Sequence, residues 1–435
     1  MESKNNKLHY GYIIVLSVFL QMFIAGTPVL TSSLFVLPVT ESFHISQGEF
    51  MMYMSIQYIF MAIASVFVPK LLSKFKYTTL DRAGIIIMAS GVGIMGLARN
   101  VLLLYIGGAM IGTGQVVVMF LCAGTLIPRW FKVGVGAMLA TANLGYSAGG
   151  IIMSPVISRI LDMDSVLGME PWRGTYILLA GAFIVLAELN SILLMRNEPS
   201  EKGLQRFGET VEASSPEKAP VVVISGVSKS VAIKSSSFIW LVIMMMAWNF
   251  ACQIQVYLAP YATFTTAAAT SGFDLKGFIG SVAMIGSVVG GYLVGGANDK
   301  FGGKGGSLVA GICGVVACVM MLAGQANSIV ILIGAALFGI YYVVGSVQLP
   351  VMITSMYGDR EYSKLFPFAA AFCPWFGAVS SSLWGFLYDM TGTYSSMLIG
   401  GIVLCALTSI TGVIAISNSK KLKSQIVSEE ITITK

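Results

Sequence analysis

The stretch GGANDKFGGK, residues 295–304, lies between two long apolar segments and carries four glycines, an aspartate and two lysines. Two structures could explain such a cluster: a loop that cradles phosphate, or a tight turn between two membrane helices. A phosphate loop follows a strand, precedes a helix and ends in G-K-[ST]. Here Gly305 follows Lys304, and both flanks are apolar segments of helical length. The stretch therefore indicates a short turn, in which glycine permits positive φ and close helix approach.

The composition around this turn is that of a membrane protein. Of the 435 residues, 56% are hydrophobic and only 11% are charged, whereas soluble domains carry about 25% charged residues. A spanning helix needs roughly 20 apolar residues, and such runs recur along almost the whole chain. A β-barrel would instead show short segments of alternating hydrophobicity. All six cysteines lie in apolar runs without metal-ligand spacing, so we expect no disulfide, no metal and no other cofactor.

Counting the apolar runs predicts an all-α membrane protein with twelve transmembrane helices in two pseudo-symmetric six-helix bundles. The bundles occupy residues 1–195 and 237–417, with a polar cytoplasmic linker at 196–236 and a cytoplasmic tail at 418–435. A short amphipathic helix is expected near Val227–Lys234. The predicted helices are 11–37, 48–72, 80–98, 101–126, 135–161, 174–195, 237–264, 277–297, 305–324, 328–355, 365–388 and 394–417.

The distribution of basic residues predicts the orientation. Loops on the cytoplasmic side of membrane proteins carry an excess of Lys and Arg. With both termini in the cytoplasm, 22 of the 26 basic residues fall on the inner side. The four on the outer side are Arg99, Arg159, Arg173 and Lys276. We therefore expect a multi-pass protein of the cell membrane with both termini cytoplasmic.

Two sets of six helices joined by a polar loop resemble the major facilitator superfamily. That family carries a G-x-L-x-D-R-x-G-R-K motif between helices 2 and 3, often repeated between helices 8 and 9. The stretch 295–304 resembles the repeat, and the matching residues are Gly295, Ala297, Asp299, Lys300, Phe301, Gly302 and Lys304. The corresponding first-half loop, residues 69–80, keeps the basic residues but has Ser73 at the aspartate position.

Shorter elements resemble one branch of that family, the oxalate:formate antiporters and monocarboxylate transporters. Three elements resemble that branch: Arg129-Trp130-Phe131, EPSEKGL (198–204) and MYGDREYSKLFPFAAAF (356–372). Two others resemble elements of the family at large. They are Pro171-Trp172-Arg173, a P-W-R element before helix 6, and Asp389 with Gly392 and Tyr394, a D-x-x-G-x-Y element between helices 11 and 12. The resemblance implies secondary active transport by alternating access.

The resemblance also implies that helices 1, 4, 7 and 10 line a central cavity, to which helices 2, 5, 8 and 11 contribute. Each of the first four carries a glutamine in its interior, which favours a polar but uncharged cavity. The candidate substrate-binding residues are Gln21, Gln115, Asn143, Asn249, Gln253, Tyr257, Tyr341, Gln348 and Trp375. The alternative is that these polar groups hold helices together through interhelical hydrogen bonds.

Two further sets of residues are functional candidates. Asp299, Lys300, Gly302 and Lys304 are candidate gating residues, because in the resembled family this loop steadies one conformation; a plain topological turn is the alternative. Glu188 is the one acidic residue well inside a predicted span and is a candidate for proton coupling, since intramembrane carboxylates are functional candidates by default. A hydrogen-bonded pair with Asn190 or a neighbouring helix is the alternative.

Three functions follow from these observations. The first is transport of a small organic solute, with a carboxylate favoured by the branch resemblance, which implies an antiporter of organic anions such as monocarboxylates. The second is transport or export of a bulkier amphipathic or neutral compound, favoured by the 25 methionines and by the absence of a basic residue inside predicted helices 8 and 11. The third, an enzyme or sensor, lacks a nucleophile, base or metal constellation. The expected partners are the substrate and the lipid bilayer, with no nucleic acid and a monomeric state.

Overall fold

The computed structural model describes residues 9–209, 226–358 and 360–433, and regular structure in these ranges is helical apart from isolated β-bridges. Eleven continuous helices are long and apolar enough to cross a membrane. Their bounds are α1 Tyr10–Phe43, α2 Gln47–Leu72, α3 Tyr77–Gly96, α4 Val101–Trp130, α5 Val135–Leu161, α6 Pro171–Leu193, α7 Ser236–Thr263, Leu275–Ala323, α10 Ser328–Tyr357, α11 Tyr362–Thr391 and α12 Ser395–Ser419.

The segment Leu275–Ala323 contains two spans. Its 49 residues would extend for about 74 Å as one straight helix, more than twice the roughly 30 Å hydrocarbon thickness. Gly302 interrupts it with φ 67° and ψ −178°, a backbone conformation that favours glycine. The two parts, 275–301 and 303–323, are α8 and α9. The described chain therefore holds twelve apolar helices, as the sequence predicts, and the quoted glycine-rich stretch forms the break.

Several helix ends differ from the predicted ones because local hydrogen bonding, which hydropathy does not report, sets them. α1 continues beyond residue 37 to Phe43 through a 3₁₀ turn at Ser32–Phe35. The last helix continues past the predicted end at 417 to Ile433. The predicted linker helix is present as Lys229–Lys234. Residues 1–8, 210–225 and 434–435, which belong to the predicted terminal segments and linker, lie outside the described residues.

Asparagine and aspartate side chains start several of the spans. Asn100 accepts a hydrogen bond from the Leu103 N–H at the start of α4, and Asn327 accepts from Ile329 and Val330 at the start of α10. Asp274 does the same for α8 through the Gly277 N–H. These caps satisfy backbone donors that the first helical turn leaves unpaired.

Packing divides the chain into two compact units, whose boundaries differ from a simple division at the linker. The first unit comprises residues 1–32 and 56–219, and the second comprises residues 33–55 and 220–435. The end of α1 and the first turns of α2, Ser33–Ser55, therefore pack within the second unit. The predicted limits of the two bundles, residues 195 and 237, divide the chain by sequence order rather than by packing, and they stay a prediction.

Glycines bring pairs of helices into backbone contact inside each unit. In the first unit, a Cβ atom at Gly145 of α5 would overlap the Phe19 carbonyl of α1, and one at Gly112 of α4 would overlap the Gln57 carbonyl of α2. In the second unit, a Cβ atom at Gly339 of α10 would overlap the Ala283 carbonyl of α8. Small residues of this kind let membrane helices approach closely. Van der Waals packing then stabilises the helix pair, because lipid provides no hydrophobic driving force between helices.

Helices α4 and α10 share an internal plan. Each has a 15-residue α-helical part, a five-residue π-helical turn and a nine-residue α-helical part. The π-turns are Val116–Phe120 in α4 and Val344–Gln348 in α10. π-turns are rare and often occur at functional sites. Their presence at the same place in both units supports an internally duplicated chain.

The two ends of the linker attach to the last residues of these same helices. In the first unit Phe207 pairs with Phe131, which follows α4. In the second unit Gly226 pairs with Gly358, which follows α10, and the linker helix begins where the Lys229 N–H donates to Glu361. That hydrogen bond, together with Lys364, holds the pKa of the Glu361 carboxyl below its usual value.

A pair of glycines on α8 tests whether glycine contacts stabilise the second unit. A Cβ atom at Gly286 would overlap the Ala336 carbonyl of α10, whereas a Cβ atom at Gly291 meets nothing within 4 Å. We expect Gly286→Ala to lower the unfolding free energy by about 1–3 kcal/mol, the usual cost of overpacking. Gly291→Ala should be neutral or stabilise by up to about 1 kcal/mol through helix propensity. Equal effects in reversible detergent unfolding would contradict the contact.

Candidate functional site

Asp81 on α3 is the centre of a polar network in the first unit. Its side chain has no exposed surface, and it is the one buried Asp, Glu, Lys or Arg among the residues whose burial the structure describes. Its carboxyl oxygens accept hydrogen bonds from Ser191 on α6 at 2.8 Å, Gln21 on α1 at 3.2 Å and Tyr77 at 3.3 Å. The sequence reading missed Asp81 because it lies close to the predicted start of helix 3.

Gln21 belongs to this network. While its Nε2 donates to Asp81, its Oε1 accepts from Asn190 Nδ2 on α6 at 2.9 Å. Asn190 in turn bonds both the hydroxyl and the carbonyl of Ser17 on α1. Both ends of the Gln21 amide are thus engaged inside the first unit, where they connect α1 with α3 and α6.

Gln115 lies at the end of the first α-helical part of α4, next to the π-turn. Its Oε1 accepts a hydrogen bond from Gln57 Nε2 on α2 at 2.8 Å, and both side chains are buried. This amide pair lies one turn from Gly112, which contacts the Gln57 backbone. Gln115 therefore joins α2 to α4 at their point of closest approach.

The two candidates on α10 contact helices of the second unit. The Gln348 Nε2 donates to the Gly303 carbonyl and to Ser307 Oγ on α9, the latter at 2.8 Å. The Tyr341 hydroxyl lies 2.8 Å from Thr408 Oγ1 on α12. Both side chains have no exposed surface. At these two positions α10 therefore packs against α9 and α12.

The candidates on α7 lie beside α11 in the second unit. Asn249 Oδ1 accepts a hydrogen bond from Ser380 Oγ at 3.4 Å, and the Tyr257 hydroxyl donates to the Ser381 carbonyl at 2.6 Å. Gln253 is buried at the junction where α7 changes to a 3₁₀ turn, Gln253–Tyr257. The structure thus brings three of the predicted polar residues together along one stretch of α7.

Two candidates present exposed side chains. Trp375 on α11 is 53% exposed, and Asn143 on α5 is exposed as well. Within the predicted substrate-binding set these side chains retain accessible surface, so their atoms are available to a ligand. The set as a whole separates into buried residues that bridge helices and exposed residues that do not.

The predicted gating residues lie at the break between α8 and α9. Asp299, Lys300 and Gly302 are exposed, while Lys304 is half-buried. The neighbouring Asn298 is buried, and its amide atoms have no hydrogen-bond partner within ranges 9–209, 226–358 and 360–433. The break thus combines accessible charges with a glycine backbone that leaves the helical conformation.

Glu188 on α6 is half-buried, and its buried Oε1 atom has no hydrogen-bond partner among the described residues. It interacts electrostatically with Arg82 on α3, whose Nε likewise has no partner in the described part of the chain. Asn190, the predicted hydrogen-bond partner of Glu188, bonds Ser17 and Gln21 instead. Glu188 therefore lies beside the Asp81 network without forming one of its described hydrogen bonds.

Asp389 at the end of α11 anchors the first turn of α2 within the second unit. Its two carboxylate oxygens accept hydrogen bonds from the Gln47 N–H at 3.0 Å and the Gly48 N–H at 2.9 Å. Tyr394 adds a hydrogen bond from its hydroxyl to Gln47 Oε1 at 2.8 Å. A carboxylate at a helix N-terminus is favoured by the helix dipole and by unpaired N–H groups. The D-x-x-G-x-Y element thus has a structural explanation.

Comparison with known proteins places this helical fold in a family. The family model described as Major Facilitator Superfamily matches residues 14–366. The structure of the nucleoside transporter NupG is similar, with a TM-score of 0.71 at 10% identity over 94% of this chain and 99% of that one. A bacterial homologue of the human lysosomal transporter Spinster, in an inward-facing and occupied conformation, gives a TM-score of 0.64 at 14% identity over 97% and 98%.

No curated protein sequence matches the chain. At these identities the structural likeness shows the fold alone, and the family model supplies the assignment because it covers most of the sequence. Both findings agree with the twelve apolar helices and the internal duplication of α4 and α10. The chain belongs to the major facilitator superfamily and is a multi-pass membrane transporter.

Proposed function

We propose that this transporter moves a small organic solute, driven by a gradient, and recognises it through neutral polar and aromatic side chains. The observation that carries the proposal is the charge distribution: α8 has no lysine or arginine between Lys276 and Lys300, and α11 has none after Lys364. A buried carboxylate without a paired cation would cost several kcal/mol. An uncharged or amphipathic solute avoids this cost and suits the amide and aromatic groups present.

Among the predicted substrate-binding residues, we assign contact roles first to Asn143, Asn249, Gln253 and Trp375. Asn143 and Trp375 have accessible side chains, Gln253 begins the 3₁₀ turn of α7, and Asn249 lies one helical turn before it. We assign Gln21, Gln115, Tyr257, Tyr341 and Gln348 to the positioning of helices, because each makes a described hydrogen bond of 2.9 Å or shorter within its own unit. The hydrogen bond of Asn249 to Ser380 is longer, at 3.4 Å.

A carboxylate is the second candidate substrate. It is favoured by the elements Arg129-Trp130-Phe131 and 356–372, which resemble the oxalate:formate and monocarboxylate branch. Neutral N–H and O–H donors can hold a carboxylate when several converge on it. This candidate would fit an antiporter of organic anions. The basic inner segments also support a location in the cell membrane with both termini cytoplasmic.

Matched pairs of ligands distinguish the two substrates. Purified protein is heated with amides and with the corresponding acids, such as nicotinamide with nicotinate and lactamide with lactate. We expect stabilisation by neutral members only, increasing with concentration as mass action requires. Asn249→Leu and Trp375→Ala should reduce the shift, whereas Glu41→Gln, an exposed change outside the proposed site, should not. Stabilisation by the acids alone would contradict a neutral substrate.

We propose gating roles at two places. Asp389 fastens the first turn of α2 in one state of the transport cycle, and Asp299 with Lys300, Gly302 and Lys304 steadies the α8–α9 break in the other half of the cycle. Alternating access requires such contacts to form and release as the two repeats move. The carboxylate of Asp389 suits this use because its two hydrogen bonds end on backbone N–H groups that no other described side chain caps.

Hydrogen exchange tests the Asp389 contact. Asp389→Asn replaces one acceptor oxygen by NH₂, so we expect faster exchange at Gln47 and Gly48, and still faster exchange in Asp389→Ala. Asp299→Asn should leave those amides unchanged but slow transport of a compound identified by thermal shift. Wild-type exchange in Asp389→Ala would contradict the anchor, and wild-type transport in Asp299→Asn would contradict gating at the break.

A further inference from the structure

The described hydrogen-bond partners of the Asp81 carboxyl group are neutral. Its described hydrogen bonds come from a serine, an amide and a phenol, and no salt bridge to it is present among the described residues. Burying an ionised carboxylate without a cation is costly, and such a group tends to take up a proton instead. The site is therefore one where the charge of a single group can change without breaking an ion pair.

When Asp81 is ionised, the single Tyr77 O–H cannot donate a hydrogen bond to both Asp81 and Val117 at once. The Tyr77 hydroxyl oxygen lies 3.0 Å from the Val117 carbonyl oxygen and 3.3 Å from Asp81 Oδ1. A phenol has one proton, so it donates to one of these acceptors at a time. When it donates to Val117, the contact between Tyr77 and Asp81 needs a second proton, and only the carboxyl can supply it.

Val117 lies in the π-turn of α4, Val116–Phe120. In that turn the Leu121 N–H bonds the Val116 carbonyl, and the Val117 carbonyl accepts from the Tyr77 side chain. A protonated Asp81 would donate to the Tyr77 oxygen and leave the phenol proton on Val117. An ionised Asp81 would instead accept the hydrogen bond of the Tyr77 O–H, and the Val117 carbonyl would lose that donor. The protonation state of Asp81 is thus connected to the geometry of α4.

Other titratable groups face the site from three helices. Cys122 on α4 and Tyr77 on α3 interact with Asp81, as do Glu188 on α6 and Arg82 on α3. The α1 residue that contacts Asp81 is the neutral Gln21. Glu188 and Arg82 are both half-buried, so they mark the side of the network nearest to the surface of the unit.

We propose that Asp81 is a proton-binding site whose occupancy sets the π-turn of α4 through Tyr77. A proton from water adds to one Asp81 carboxylate oxygen, the new O–H donates to the Tyr77 oxygen, and Tyr77 donates to Val117. Release of the proton reverses these steps. The proposal rests on the proposed gradient-driven transport, for which it names the proton as the coupled ion and α4 as the element that responds.

Infrared difference spectroscopy of the full chain in lipid nanodiscs tests the site without a substrate. Titration of the wild type should show, above the background of the other carboxyl groups, a carboxylic C=O band that grows as the pH falls and is lost in Asp81→Asn. Glu188→Gln and the exposed control Glu41→Gln should retain it. A band that survives Asp81→Asn, or one that disappears in Glu188→Gln alone, would overturn the assignment in favour of another carboxyl group.

Hydrogen exchange tests the connection to α4. After correction for the intrinsic pH dependence, we expect exchange across residues 116–121 to change with pH in the wild type and to stay at the low-pH level in Asp81→Asn. Tyr77→Phe retains the carboxyl but removes the relay, so its C=O band should persist while the pH dependence of α4 is lost. Wild-type pH dependence in Tyr77→Phe would overturn the relay. Both signals are independent of uptake assays, so a failure of the proposed transport is read separately.

Discussion

Hydrogen bonds between buried polar side chains on neighbouring helices are the interaction on which each unit of this transporter depends. The bilayer core offers no water to an unpaired amide, so a polar side chain must find its partner within the protein. Gln57 Nε2 with Gln115 Oε1, and Gln348 Nε2 with Ser307 Oγ, form such pairs beside glycine contacts that bring the helices together. The glycines set the distance between the helices, and the amides then fix their register.

The duplicated plan of the chain makes its differences informative. α4 and α10 have α-helical parts and π-turns of the same lengths, and Gly112 and Gly339 make the same kind of backbone contact with α2 and α8. The polar groups near the π-turns nevertheless differ. In the first unit a carboxyl group, Asp81, reaches the π-turn through Tyr77, whereas in the second the amide of Gln348 bonds α9 directly. An ionisable group reaches the π-turn of α4, whereas an amide occupies that of α10, and this difference favours a role for Asp81 in coupling.

Hydropathy and the basic residues were sufficient to predict an all-α membrane protein, its twelve helices and the turn at 295–304, because each depends on local composition. Apolar runs were sufficient to place Asn249, Gln253 and Tyr257 on one helix, predicted at 237–264. They could not predict that Gln21 and Tyr341 would find partners on α6 and α12, since a helix assignment does not give the neighbouring helix. The π-turns and the burial of Asp81 depend on contacts between distant segments, and the sequence contains no local signal for them.

The account is tested most directly by a double-mutant cycle on Gln57 and Gln115, read as the free energy of reversible unfolding in detergent. Each single Leu substitution leaves the opposite amide unpaired in hydrocarbon, whereas the double substitution removes both polar groups. We predict that the double variant is less destabilised than the sum of the single variants, with a coupling of about 0.6–1.7 kcal/mol. Additive effects, within about 0.3 kcal/mol, would contradict the claim that paired amides hold the helices together.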